Sequence, residues 1–284
     1  MRAVKKAGDR TGAPESWPVV AILPARRLAA GSRDTIARAV ANEVPVALSY
    51  NGIAHVVMML TPADYEDFAV GFSLSEGIVD GPEEVEAVEV RTGEAGMLVD
   101  LSIPRSRFEA LIRRRRNLVG QSNCGVCGLE ELEEAVRTLP PLDTAPQLTR
   151  GAIDRALDEL PRHQPLNAET GAVHAAAFCD PSGRILAVRE DIGRHNAFDK
   201  LIGALARGPF DAGEGFALLT SRCSFELVEK AVMARIPALV TVSAPTGLAI
   251  ELARRARLTL VALARADSML CFHDPHGLFG AVAE

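Results

Sequence analysis

Two cysteines stand two residues apart in Ser122-Asn123-Cys124-Gly125-Val126-Cys127-Gly128, and these residues are the best placed in the chain to do chemistry. A thiolate is at once a nucleophile, a metal ligand and a redox centre, and here small glycines leave both sulfurs unshielded. Arg113 to Arg116 lie just upstream, where positive charge lowers a thiol pKa or holds an anion. Downstream, Leu129, Leu132, Val136 and Leu139 fall near helical spacing. Glu130, Glu131, Glu133 and Glu134 crowd the first turns of that segment, where a helix dipole favours acids. The pattern predicts a glycine-softened loop leading into a helix N-terminus. Three chemical readings stand side by side: a thiol that accepts sulfur as a persulfide and hands it on, half of a zinc site, and a dithiol/disulfide couple. Zinc needs two further ligands, and without a second CxxC it would have to recruit Cys179, Cys271, His273 or His276. A thioredoxin-type couple would follow a strand, whereas this pair follows a basic run.

Loops at the ends of strand-like runs are the next candidates. Arg189-Glu190-Asp191-Ile192-Gly193-Arg194-His195-Asn196 joins such a run to a helical stripe, and Arg194 and His195 there would be donors to an anion or nucleotide near a helix N-terminus. The same loop also reads as plain helix capping with surface ion pairs. Thr220-Ser221-Arg222-Cys223-Ser224 holds the matching place after the next strand, with Ser221 and Arg222 suited to phosphate. Ser243-Ala244-Pro245-Thr246-Gly247 follows the strand after that. Three loops in succession predict a ligand rim. The segment Met269, Leu270, Cys271, Phe272, His273, Asp274 closes the pattern as a last strand with a polar, aromatic end. His174 lies in an apolar run and reads as a buried, hydrogen-bonded histidine. It lacks the following glutamate of the zinc deaminases, and the CxxC precedes it instead of following, so deaminase chemistry is disfavoured.

The elements that must position these groups are legible in the order of the chain. At 284 residues two lobes are expected, and a 48% apolar and 24% charged composition is that of a soluble globular protein. A formal net charge of -6 argues against general nucleic-acid or membrane binding, and five irregularly spaced cysteines are no disulfide framework. No apolar stretch reaches spanning length and no signal-like region opens the chain, which points to the cytoplasm. Residues 1–33 read as a mobile arm. Residues 34–139 read as an α+β lobe ending in the CxxC loop and the following helix. It includes strands Val44 to Tyr50 and Ile53 to Leu60 about an Asn51-Gly52 turn. Thr61-Pro62-Ala63-Asp64 reads as N-cap, proline at N1 and acid at N3 of a helix. Residues 140–165 form the connector, and residues 166–284 alternate short buried strands with helices, as in an α/β sandwich with several parallel strands.

Taken together, Cys124-Gly125-Val126-Cys127-Gly128, Glu190 to Asn196 and Ala244-Pro245-Thr246 resemble the FdhD family, the formate dehydrogenase accessory sulfurtransferases. Asn51-Gly52, the run Thr61 to Gly77 and Thr170-Gly171-Ala172-Val173-His174 carry the same resemblance, which extends from about Val44 to His273. It implies a cytidine-deaminase-like core in residues 166–284 without deaminase zinc chemistry, a cytoplasmic homodimer and no permanent cofactor or metal. It further implies that a cysteine desulfurase loads persulfide sulfur onto Cys124 or Cys127, with Cys124 favoured and Cys127 as relay or resolving thiol. The sulfur would pass to molybdenum or tungsten in the bis-molybdopterin guanine dinucleotide cofactor, destined for formate dehydrogenase. The strand-end loops and Met269 to Asp274 would hold guanine and phosphates. The alternative is a non-catalytic chaperone that binds the cofactor and uses the CxxC structurally.

Overall fold

The computed structural model describes residues 17–29, 32–120 and 138–280. The expected arm is in fact strand from Val20 onward. Strands β1 (Val20–Ala29) and β2 (Ser32–Ala41) pair antiparallel along their whole length, from Val20↔Ala41 to Ala29↔Ser32. This ribbon shows no apolar alternation in sequence, because its backbone ladder and not a buried face organises it. Strands β3 (Val44–Tyr50) and β4 (Ile53–Leu60) form the expected hairpin. Asn51 and Gly52 both take positive φ, 48° and 78°, which the tight turn demands and which these two residue types supply most cheaply. Helix α1 (Tyr65–Ser75), strands β5 (Ala87–Thr92) and β6 (Met97–Ser102) and helix α2 (Arg105–Gly120) complete the first lobe, with sheet order β4-β3-β6-β5. Alternate residues of β3 (Val44, Val46, Leu48, Tyr50) are buried, and they share a core with Val99, Leu101, Phe68 and Phe72.

Helix α1 starts later than its sequence suggests. Asp64, not Thr61, is its N-cap, and its side chain makes no capping bond. Thr61 is occupied elsewhere: its hydroxyl accepts from the Ile192 amide at 3.1 Å, in the other lobe.

The second lobe runs through helices α3 (Arg150–Glu159) and α4 (Pro165–Thr170), strands β7 (His174–Cys179) and β8 (Ile185–Asp191), helix α5 (Arg194–Arg207), β9 (Phe216–Leu219), α6 (Phe225–Met233), β10 (Ala238–Thr241), α7 (Gly247–Arg255), β11 (Thr259–Ala262) and β12 (Leu270–His273). The sheet order is β12-β11-β10-β9-β7-β8. Strands β9, β10 and β11 are parallel, and β7, β8 and β12 run against their neighbours. Every residue of the three parallel strands is buried, since both faces of the sheet are covered. Helices α5, α6 and α7 pack on one face against Phe178, Leu219, Leu239 and Leu260. Helix α3 packs on the other against Ala177, Leu218, Val240 and Val261.

The lobes meet where α1 crosses α5. A Cβ on Gly203 would stand 1.8 Å from the Asp67 carbonyl oxygen, and one on Gly71 would stand 1.8 Å from that of Asp199, so the crossing depends on both glycines. Beside it the buried Asp67 carboxylate receives Arg189 and Arg207, each at 2.6 Å.

Candidate functional site

Strand direction brings the predicted loops to one end of the second sheet. Strands β9, β10 and β11 all finish there, and the antiparallel β7 begins there with His174, opposite Asp191 at the close of β8. Arg194, as the first residue of α5, and Ser221 and Arg222, just after β9, stand at the same end. Leu270 at the start of β12 pairs with Ala262 and so lies there too, with Met269 just before it, while His273 lies level with Leu260, deeper along the sheet. Strands β12 and β8 are opposite edges of six strands, about 24 Å apart at ordinary strand spacing, so Met269–Asp274 and the loop after β8 stand at opposite ends of the rim. The rim is long.

Within the C-terminal segment the side chains diverge. Phe272 packs on the layer of α5 to α7, Met269 on the opposite layer, and Leu270 and Cys271 are exposed. Burial works to raise the Asp274 carboxyl, but amides of residues 276–279, led by that of Phe279, outweigh it and hold the group below its usual range. Asp274 therefore organises the chain that follows it.

Towards the β8 edge of the rim is a basic corner. The His174 imidazole is half-buried, and its proton affinity is lowered first by that burial and then by the positive charges of Arg194 and Arg222. Its Nδ1 stands 3.5 Å from the Thr220 hydroxyl, which also accepts from the Ala175 amide at 2.9 Å. The Arg194 Nε is out of solvent and has no acceptor among the described residues. Sequence alone assigns His174 to the interior; the antiparallel direction of β7 is what brings it to the rim.

The acidic half of the Glu190 to Asn196 motif is committed to architecture. The Glu190 carboxylate accepts from the Leu166 and Asn167 amides at 2.9 and 2.8 Å, closing the start of α4. Asp191, fully buried, pairs with the equally buried Lys200 at 2.7 Å and accepts from the amides of Thr61 and Gly193. Lys200 also donates to the Thr61 carbonyl, and Asn196 to that of Met59. These bonds tie the end of β4 to the loop between β8 and α5. Similarly, Thr246 caps α7, accepting from the Ala249 amide at 3.2 Å.

Arg194 and His195 are neighbours in sequence but serve different places. The His195 Nε2 lies 2.8 Å from Glu226 and 3.3 Å from the Ser224 hydroxyl. It lines a cavity of about 330 Å³ between the lobes, with Met58, Phe72, Arg114, Glu226 and Lys230. Burial depresses its proton affinity, and the Glu226 carboxylate only partly restores it. On the cavity wall Lys230 holds Asp199 at 2.8 Å and Ser75 at 3.0 Å, while burial pushes the Asp199 carboxyl up against the pull of that lysine. Arg114 reaches the cavity from α2, the helix carrying Arg113 to Arg116. That helix ends at Gly120, and Cys124, Cys127 and the helix expected behind them lie outside the described residues.

The other thiols are not arranged with one another. Cys179 and Cys223 are buried, and burial pushes each up to about 12. Cys179 lies within the central sheet and Cys271 on its exposed edge, and no group of three His, Cys, Asp or Glu side chains that could hold a metal occurs among the described residues. Nor is any described helix long and apolar enough to cross a membrane.

Comparison with known proteins finds likeness over most of the chain. The model of the FdhD/NarQ family matches residues 41–279. The "Sulfur carrier protein FdhD" of Xanthomonas campestris pv. campestris (strain B100) is 50% identical over 275 residues, covering 96% of this chain and 98% of that protein. Its namesake in Variovorax paradoxus (strain S110) is 49% identical over 244 residues, covering 86% and 88%. The fold is similar to the crystal structure of a protein from Desulfotalea psychrophila described as a formate dehydrogenase accessory protein. Its TM-score is 0.73 at 24% identity, with 91% of this chain and 98% of that one covered.

Proposed function

The chain belongs to the FdhD/NarQ family, and from that premise we propose that it is a sulfur carrier that receives persulfide sulfur on its CxxC and delivers it to a molybdenum or tungsten cofactor. The observation that carries the reading is the coincidence of two things: a glycine-flanked pair of thiols, and near-full-length relatives called sulfur carriers that share half the residues. In the proposed cycle the Cys124 thiolate attacks the outer sulfur of a persulfide on a cysteine desulfurase, and the donor's thiolate leaves. Cys124 then holds the outer sulfur. Attack by Cys127 on the inner sulfur releases that outer atom as sulfide to the acceptor and leaves a Cys124–Cys127 disulfide, which an external thiol must reduce. The acceptor we propose is bis-molybdopterin guanine dinucleotide, on its way to formate dehydrogenase.

Several features support this assignment. Cys179 and Cys223, pushed up to about 12, do not compete as nucleophiles at neutral pH. A rim about 24 Å long suits an extended ligand, and Arg194 and Arg222 suit its phosphates. A homodimer in the cytoplasm, and kinship of the second lobe with cytidine deaminases, belong to the same proposal.

The test is intact-protein mass after incubation with a cysteine desulfurase and cysteine. A gain of about 32 Da, reversed by dithiothreitol and absent from Cys124→Ala, is expected. No gain on wild-type protein, with the desulfurase shown to be active, overturns the reading.

A further inference from the structure

We propose that the β1–β2 ribbon is an arm that lies on the open face of the first-lobe sheet of a second copy, each copy giving its arm to the other. Of the function proposed above this rests only on the homodimer, to which it assigns a surface.

The ribbon lacks cover in its own chain. Its strands pair only with each other, and no described residue of it is buried. A two-stranded ribbon solvated on both faces is marginal in water, so ten residue pairs in register call for a partner surface. Residues opposite in register share a face, which sets Val20, Ile22, Pro24, Ala37 and Ala39 together. Arg26 and Leu28 continue that face towards the tip, with Ile22 64% and Leu28 78% exposed. Arg38, on the opposite face, ties the ribbon to α4 through the Thr170 carbonyl and leaves the first face open. Its counterpart is the outer face of the first sheet. Val57, Ala47 and Leu98 form one row across β4, β3 and β6, and Val57 is 63% and Leu98 50% exposed. The inner face of that sheet is packed against α1 and α2. An outer face meant for water would carry polar residues at these places.

Charge selects a second copy as the occupant. Residues 20–41 carry four arginines and one aspartate, a net of +3 in a chain of -6, so the rest of each copy carries -9. Beside Leu98 on the receiving face, Asp100 and Glu89 stand opposite one another in register and offer carboxylates to Arg26. Nucleic acid would be repelled by the acidic body, and partners met in turn would leave both apolar faces bare between encounters. At ordinary strand dimensions one face of the ribbon covers about 340 Å². Two ribbons and two receiving faces then bury about 1,400 Å², the size of a stable interface, and the exchange closes under two-fold symmetry.

Light scattering and sedimentation on the full chain test this. Wild type is expected to be a dimer that weakens as salt is raised. The arm variant Ile22→Ser/Leu28→Ser and the sheet variant Val57→Ser/Leu98→Ser are each expected to raise the dimer dissociation constant at least about tenfold. Arg26→Glu, on the exposed tip, should weaken the dimer in the same direction without disturbing any packed side chain. Leu248→Ser, an exposed leucine on α7 outside both faces, should leave it unchanged. Mixing the arm variant with the sheet variant restores one intact arm-on-sheet contact per pair, so association should recover in part. Thermal midpoints within a few degrees of wild type establish that the variants are folded. A wild type that stays monomeric at every concentration leaves the arm to another partner and overturns the proposal together with the homodimer. A dimer that none of these variants weakens, or mixed variants that stay apart, overturns the arm alone. Sulfur loading of Cys124 is read independently by mass, so failure of the arm and failure of the sulfur-carrier reading are distinguishable.

Discussion

The contact between α1 and α5 makes a demanding prediction, because helix propensity and packing oppose each other there. Gly203 lies in the interior of α5, where alanine is intrinsically better by about 1 kcal/mol. Yet its added Cβ would stand 1.8 Å from the Asp67 carbonyl oxygen and 2.6 Å from the carbonyl carbon, where ordinary contact begins at 3.4 Å. The obstacle is backbone, so the helices must part by about 1.6 Å. That movement opens the facing contact of Gly71 on Asp199 and shifts Asp67 away from Arg189 and Arg207. Overpacking of this kind costs about 1–3 kcal/mol, and here the upper end applies because no side chain can rotate aside. After the gain in propensity, Gly203→Ala should lose about 2 kcal/mol, or roughly 3–4 °C in the midpoint of a chain this size. Gly151→Ala in α3 has nothing within 4 Å of its new Cβ and serves as the control, with a midpoint equal to or above wild type. The double variant Gly71→Ala/Gly203→Ala should lose less than the sum of the singles, since one separation accommodates both methyls. Scanning calorimetry decides it: a Gly203→Ala midpoint at or above wild type refutes the close crossing.

The buried network between the lobes predicts a rank order. Thr61→Val leaves the Ile192 amide without its acceptor and should cost about 1–3 kcal/mol in denaturant titration, whereas Lys200→Met strands the fully buried Asp191 carboxylate and should cost about 3–5 kcal/mol. Equal stability of Lys200→Met and wild type would show that Asp191 is not held as described. The histidines predict the acid response. His174, His195 and His273 are each held below their usual 6.5, with burial as the first cause, so the unfolded chain binds protons before the folded one does. Stability should be full above about pH 6.5 and fall as the pH drops from there through the folded-state values. A thermal midpoint that stays flat from pH 7 down to the carboxylate range, about 4.5, would contradict it.

Most strands and helices of both lobes were legible because their signals are local. The Asn51-Gly52 hairpin rests on two residues that tolerate positive φ, and short apolar runs such as Phe216–Leu219 are what strands covered on both faces look like. The β1–β2 ribbon was illegible for the converse reason. Val20–Ala29 contains Pro24, Arg26 and Arg27 in no alternating order, and its order comes from cross-strand pairing and from Arg38 donating to the Thr170 carbonyl at 2.9 Å. A residue's role at the site depends still more on distant chain. Asp191 stands in a loop that reads either as an anion site or as helix capping with surface ion pairs, yet Thr61, 130 residues earlier, takes part in holding it inside. The one local sign was Lys200, a lone cation among Phe198, Leu201 and Ile202 on an apolar stripe, which requires a buried anion nearby.

That reassignment sharpens the functional reading. Once Glu190, Asp191 and Asn196 are committed to joining the lobes, the motif leaves two side chains for chemistry, and they face different places. Arg194 joins His174 and Arg222 at a corner without a carboxylate, whereas His195 joins Glu226 in a cavity shared with Lys230 and Asp199. Acids outnumber bases in that cavity, which leaves the rim the better place for the anionic cofactor we propose. Because Asp191 fixes the turn into α5, loosening Lys200 should disturb both places together, whereas Arg222→Ala should disturb the rim alone. Parallel loss of anion binding and of the His195–Glu226 contact in Lys200→Met, with only the first lost in Arg222→Ala, is the signature of one buried joint that sets the geometry of two sites.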